Sequence, residues 1–444
     1  MNKHLTFNGG RTFKFAHSPT SSDITPLKTT SIGIPLTTQR YRFIPISRSQ
    51  THYDAYEPVV RCPALGNLTY GYPAPLSLNG SSADGSVMLF SLEEEPRPLP
   101  EGSLREKFLQ SGIWLEIRNL LTGGIVHPGV TPRRVFIATF LTEPYSATID
   151  TLLRDFDLGA GIAALFALLG ETIQVTVLAP DVPGTPGTRT IDCKNPQVDT
   201  LFLPNRYPAH DGTIPLTQHI YPTEIAKDPD KYWWMDTQTL KKITGIVNEL
   251  TIDFNITVAL GGSLHRTPGH YSLLPFTVLS TIAVDIPKSL RVITGGLLTG
   301  HEAVNPEEYS VRPWDRGVAL LENPDTREML HFLRPGLSRD SISPTFLSWF
   351  FRKKERSVHG GIRGERRYCV SCNYCETMCP LSLDPQHLFK LASRNILDEA
   401  ASQGLLRCSG CGICSYVCPS KLELSPIISA GKAAWLKETG GSAS

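Results

Sequence analysis

Eight of the ten cysteines fall between Cys369 and Cys418, in one spacing used twice. Cys369, Cys372, Cys375 and Cys379 read C-x2-C-x2-C-x3-C and are followed by Pro380; Cys408, Cys411, Cys414 and Cys418 repeat the pattern and are followed by Pro419. Three thiolates this close in sequence can grip one face of an iron–sulfur cube only if the backbone between them curls tightly. The fourth ligand must then come from elsewhere, and in two-cluster runs of this form the fourth cysteine ligates the other cluster. The spacing therefore predicts two [4Fe–4S] clusters, the first on Cys369, Cys372, Cys375 and Cys418, the second on Cys408, Cys411, Cys414 and Cys379. Such a pair transfers single electrons and reads most simply as a relay. Two other readings compete. Zinc sites commonly use two CxxC pairs, which would leave the third cysteine and the Cys-Pro of each run unexplained. A structural cluster in a nucleic-acid enzyme would bring one cluster and a catalytic or helicase motif, and the sequence has neither.

The cysteines need elements to hold them. Between the runs, Pro385–Gln403 has helical composition, with apolar residues at 388, 389, 391, 396 and 397 and a stop at Gly404. The runs and this helix form a C-terminal domain over 368–444. Upstream, a chain of 444 residues is too long for one core, since single cores stop growing at roughly 250–300 residues. Residues 1–95 are rich in Pro, Gly, Ser and Thr, with short β-prone pieces, and read as a small β module. Glu93–Gly102 is a linker, and Ser103 with Glu106 offers a capping box. Over 103–250 strand-like and helix-like stretches alternate: Val135–Leu141, Thr148–Leu169, Ile173–Leu178, Thr200–Leu203, an irregular aromatic stretch 205–236, and Thr237–Leu250. That order argues for an α/β layer with parallel strands. A β-rich segment over 251–343 follows.

Composition excludes some classes. With 43 Lys and Arg against 42 Asp and Glu, the formal charge of +1 gives no footprint for nucleic acid. The start MNKHLTFNGG lacks an apolar signal region, and the longest apolar run, Leu158–Leu169, is too short to span a bilayer, so a cytoplasmic location is expected. One local patch is basic: 345–367 carries seven Lys or Arg and two Glu beside Trp349, Phe350 and Phe351. Its segment 349–367 is either a dock for an acidic partner or an anionic bilayer surface, or a solvated linker. No G-x-G-x-x-G or G-x-x-x-x-G-K-[ST] is present, and Gly159-Ala160-Gly161 is read as helix packing. His127, His210, His219, His265 and His270 stand singly, Cys62 and Cys193 have no partner spacing, and no catalytic residue is assigned.

The segments LREKFLQSGIWLEIRN (104–119), TPRRVFIATFLTEPYSA (131–147), YPAHDGTIPLTQHIYP (207–222), TVALGGSLHRTPGHY (257–271) and RVITGGLLTG (291–300) resemble, in their order, the A subunit of the sodium-translocating NADH:quinone reductase. The C-terminal runs resemble the C subunit of the related Rnf complex. The resemblance implies a multidomain α+β architecture: a β-sandwich-like module, a Rossmann-like domain, a ubiquitin-like β-grasp segment of the SLBB kind, and a helical ferredoxin domain. It implies a peripheral, cytoplasm-facing subunit of an ion-translocating complex that relays electrons to membrane-bound flavin subunits, with quinone and sodium transport in its context. The alternative is a self-contained flavin-dependent NADH reductase of the cobalamin-reductase type. Rnf C subunits are expected to bind FMN and NADH through a glycine-rich stretch. Here the corresponding place reads Ser111-Gly112-Ile113-Trp114, a departure that argues against both cofactors.

Overall fold

Turn residues cut the first 92 positions into short strands: β1 (Asn2–His4), β2 (Ile24–Pro26), β3 (Ser31–Pro35), β4 (Val59–Cys62), β5 (Gly66–Thr69), β6 (Leu76–Ser81) and β7 (Val87–Leu92). The computed structural model describes residues 2–35 and 59–92 in part, then 102–182, 195–219, 228–249, 253–278, 290–303, 310–322 and 366–439, with a few short gaps. β3, β7 and β6 form one sheet, and β4 pairs with β5. The expected module 1–95 needs correction at its start. β1 runs parallel to a strand of the α/β domain and β2 to a strand of the later β segment, so the first residues tie both together.

Five strands of the α/β domain follow, and all but the short first are apolar and covered on both faces, as parallel strands must be. They are β8 (Arg118–Asn119), β9 (Arg134–Ala138), β10 (Gln174–Pro180), β11 (Val198–Leu203) and β12 (Tyr232–Asp236). The sheet runs β1-β11-β10-β9-β12-β8 and is parallel except for β8. Three expectations change in detail. The stretch 205–236 is not irregular throughout: it holds the helix Thr213–His219 and β12, whose Tyr232 and Trp233 are buried. The helix expected over Thr148–Leu169 is two, Ile149–Leu152 and Leu158–Leu169. The break falls where Asp155 takes φ 53° and Asp157 caps the second helix through the Gly159 N–H. The last helix runs Thr237–Thr244 and ends in a π-turn, Gly245–Glu249.

Ser103 and Glu106 form the expected capping box on the helix Leu104–Gln110. Gly161 serves packing: a Cβ there would lie 2.6 Å from the Phe156 ring and 3.0 Å from Leu240. The β segment adds β13 (Ile256–Gly261), β14 (Gly269–Leu273), β15 (Leu290–Thr294), β16 (His301–Glu302) and β17 (Gly317–Glu322), in the order β16-β15-β17-β13-β14-β2. Cys193, His127, His265 and most of the basic segment 345–367 lie outside the described residues, as do the side chains of Cys62 and His219.

A buried ion network joins the two sheets. Asp236 caps the helix Thr237–Thr244, accepting from Thr239 N at 3.0 Å, and pairs with Arg316 at the foot of β17. Arg316 also reaches Glu116 at 2.9 Å, and Glu116 takes Lys242 at 2.6 Å. All four side chains are at most 9% exposed. Breaking such a network strands the charges left behind. Arg316→Met is expected to cost about 3–5 kcal/mol, read as a lower urea midpoint of the fluorescence of the buried Trp114 and Trp233; a cost below about 1 kcal/mol would contradict the clamp.

Candidate metal centre

The two cysteine runs fold alike, residue by residue. In the first, Ser371 and Asn373 take φ near 51° and 54°; in the second, Gly410 and Gly412 take 74° and 76° at the same positions. Three residues after the fourth cysteine, Ser382 and Lys421 again take positive φ, 51° and 58°. These left-handed steps are the tight curl the spacing demanded. A short helix follows the curl in each case, Tyr374–Thr377 and Ile413–Val417. The glycines of the second run answer to its surroundings: a Cβ on Gly412 would sit 2.5 Å from Leu298 O, so only glycine admits this close approach.

Between the runs the chain does not form one helix. It breaks into Pro385–Ser393, capped by Asp384, and Leu397–Ser402, with Asn395 at φ 58° between them. Gly404, at φ 95°, ends the second. The helix Leu424–Glu438 then packs back across Pro385–Ser393 and Leu397–Ser402, with Ala392 and Leu397 touching Gly431.

The folding brings thiols of the two runs near one another. Cys375 lies in the field of Cys372 and Cys418, one residue from its own run and one from the other. Cys379 lies in the field of Cys408, and both Cys411 and Cys414 feel Cys408 and Cys379. Cys414 also feels Cys375, so the runs adjoin. Their surroundings differ. Cys369 and Cys372 are exposed beside Tyr368, 96% exposed, and Val370, 58% exposed. Cys379, Cys408, Cys411 and Cys414 instead line an apolar cavity closed by Pro380, Leu383 and Ile428.

Electrostatics test whether these residues fit a metal–sulfur group. Burial pushes the Cys375 thiol up to about 11, and burial together with neighbouring thiols also raises Cys411 and Cys414. Desolvation raises Cys379 and Cys408 as well. Thiols raised in this way become thiolates when a metal coordinates them, so the donor set suits a metal–sulfur group. A backbone amide adds to the fit. The Ser371 N–H donates to Cys369 Sγ at 3.4 Å, in the manner that tunes cluster sulfurs. Among the described residues no three His, Cys, Asp or Glu converge on a single ion.

The cavity-lining thiols face the α/β domain. One apolar core runs from Phe7, Phe136, Leu178 and Leu201 of that domain into Leu381, Leu388, Leu424 and Ile428. Tyr207 donates its hydroxyl to Cys411 O at 2.5 Å, and Gly10 N bonds Met378 O at 3.0 Å. Beside Cys408 and Cys411 a cavity of about 350 Å³ opens between the domains, lined also by Arg118, His210, Trp234 and Lys432. His210, read from the sequence as a solitary histidine, stands here with its Nδ1 2.7 Å from Thr142 Oγ1, and desolvation lowers its pKa to about 4. Lys432 and Asp211 had carried no signal in the sequence beyond a charge in an otherwise apolar pattern. His270 is buried and bonds Ser21 O at 2.7 Å, a structural role.

The place of the expected flavin stretch is part of the hydrophobic core. Ser111 and Trp114 are buried, and Trp114 donates Nε1–H to Val126 O at 2.9 Å; Gly112 lies outside the described residues.

Comparison with known proteins agrees with this anatomy. Residues 365–422 match the family model of the 4Fe-4S dicluster domain. The A subunit of the Na(+)-translocating NADH-quinone reductase of Alcanivorax borkumensis is 25% identical over 342 residues, 76% of this chain and 73% of that protein. Its counterpart from Aliivibrio salmonicida is 23% identical over 339 residues, 74% of this chain and 72% of that protein. Among solved structures, an NAD+-reducing [NiFe]-hydrogenase in the air-oxidized state aligns over 56% of this chain and 54% of that one, at 12% identity and a TM-score of 0.36, too loose to build on. The chain thus combines a body similar to the A subunit of that reductase with a C-terminal match to the 4Fe-4S dicluster domain.

Proposed function

We propose that this chain is an electron-transfer subunit of an Rnf- or Nqr-type ion-translocating NADH-dependent oxidoreductase complex. In this reading Cys369, Cys372, Cys375 and Cys418 hold an outer [4Fe–4S] cluster, and Cys408, Cys411, Cys414 and Cys379 hold an inner one. The observation that carries it is that Cys379 of the first run lines one cavity with Cys408, Cys411 and Cys414 of the second. Bound there, the clusters would supply single-electron transfer. The chain's own residues do the rest: the crossed cysteines keep the sites adjacent, the Ser371 amide tunes the Cys369 sulfur, and the apolar core fixes the inner site against the α/β domain. Exposed Cys369 and Cys372, flanked by Tyr368 and Val370, give the outer site its face toward a protein partner.

Two further parts of the reading rest on the fold. The parallel strands β11-β10-β9-β12 follow the 3-2-1-4 order of a doubly wound domain, which supports the Rossmann-like reading; the second sheet is the candidate β-grasp. Doubly wound sheets bind dinucleotides where the strand order reverses, with the pyrophosphate at a helix N-terminus. Here the helix after β12 is capped by Asp236, clamped to Arg316. The loop after β9 carries the buried carboxylate of Glu143, which accepts from Leu298 N at 2.6 Å. The ion-paired Asp236 carboxylate and the Glu143 side chain, which burial pushes up to about 7, occupy the places where phosphate would bind and favour a relay over an NADH entry enzyme. The cavity beside Cys408 and Cys411 is what favours the other reading, the flavin-dependent reductase.

Among the described residues no helix is long and apolar enough to cross a membrane. The proposed attachment is peripheral, on the cytoplasmic face, through other subunits and the basic segment 349–367. Of that segment Arg366 and Arg367 are described, and Arg366 pairs with Glu423.

Anaerobic purification with iron, sulfide and flavin analysis tests the reading. About eight iron per chain, no flavin and no reduction by NADH alone are expected for two four-iron clusters in a relay. Bound flavin with direct reduction by NADH would make the chain the entry enzyme. In the assembled complex, Val370→Glu is expected to slow electron transfer at the outer face several-fold without changing iron content; an unchanged rate would place the partner elsewhere.

A further inference from the structure

The helix Leu424–Glu438 buries Leu424, Ser425, Ile428, Gly431, Lys432 and Leu436 on one side. Lysine is the outlier on that stripe. Its residue is 8% exposed, and its Nζ donates to Cys408 O at 2.7 Å, at the inner set of thiols. A lysine so placed loses its water and is held by what surrounds it, which is costly unless negative charge is nearby.

We propose that the Lys432 ammonium sets the reduction potential of the inner cluster, raising that cluster's affinity for an electron. The inference rests on the two-cluster reading. One-electron reduction adds one negative charge to the site and makes or breaks no bond. In the outer set water reaches Cys369 and Cys372, which are exposed, though Cys375 is buried. One side of the inner set is walled by Pro380, Leu383, Ile413 and Ile428, and a charge added against so apolar a lining is disfavoured unless a cation stands beside it. Lys432 is that cation. Its field reaches Cys408, and across the cavity it faces Asp211, whose carboxylate accepts from Thr213 N at 2.9 Å. Arg407 adds a second positive charge near Cys379, with Nη2 on Leu381 O at 3.2 Å. Asp211 belongs to the α/β domain and Lys432 to the dicluster domain, so the tuning pair exists only when the two are docked.

Charge and packing make different predictions for substitutions at this position. In an EPR-monitored redox titration of the anaerobically purified full chain, Lys432→Gln keeps a donor but loses the charge. It is expected to lower the reduction equilibrium constant of one cluster by about tenfold or more, which is about 59 mV toward negative potential for one electron, and to leave the other cluster unmoved. Lys432→Arg keeps the charge and is expected to stay within about threefold of the parent. Should Lys432→Gln fail to retain the inner cluster, Asp211→Asn provides the test with the opposite sign, moving the same potential positive by removing the carboxylate that partly neutralises the lysine. Equal shifts for Gln and Arg would show a packing role and overturn the proposal, as would unshifted potentials in a chain holding both clusters, or a negative shift or none for Asp211→Asn. A parent chain with only one cluster would instead overturn the two-cluster reading itself.

Discussion

The rest of the C-terminal half depends on one contact: the second cysteine run pressed against the α/β domain. Gly412 comes so near Leu298 O that a side chain would not fit, Tyr207 bonds Cys411 O, and Phe7, Phe136 and Leu178 share a core with Leu381, Leu388 and Ile428. Burial of this kind is the main favourable term in docking two domains. It also sets an apolar wall against Cys379, Cys408, Cys411 and Cys414, while Cys369 and Cys372 stay exposed. Two runs of identical spacing thereby acquire different environments, and the difference lies in what packs on them rather than in the runs.

The same contact explains the N-terminal strand order. Residues 2–26 contribute a strand to each large sheet, and between those strands Gly10 N bonds Met378 O while Arg11 and Tyr207 exchange backbone bonds at 2.9 Å. The opening segment therefore runs along the seam between the α/β and dicluster domains. The Asp236–Arg316–Glu116–Lys242 network performs the corresponding task between the two sheets, and it does so with charges that would be costly if separated.

Much of the site was legible in the sequence because its signal is local. Cysteine spacing dictates a curl, and the curl appears as positive φ at matching positions of both runs. The capping box at Ser103 and the small-residue packing at Gly161 are equally local. What the sequence hid depends on long-range contact. β1 and β2 carry no mark of the distant strands they pair with. The aromatic stretch ending in Tyr232–Asp236 lacks alternation because both its faces are covered, so it read as irregular. The breaks at Asp155 and Asn395 are single left-handed residues within otherwise helical composition. Lys432 and Asp211, from opposite domains, become a pair only when the fold brings them together.

In the proposed crossed arrangement the fourth cysteine of each run serves the other run's cluster. Cys379→Ala separates this from the simpler arrangement in which each run keeps its own. With crossed ligation, Cys379→Ala is expected to lose the same cluster, by EPR and by iron content, as Cys411→Ala does, while the cluster lost in Cys372→Ala survives. If Cys379→Ala instead matched Cys372→Ala, each run would hold its own cluster and the crossed assignment would be wrong.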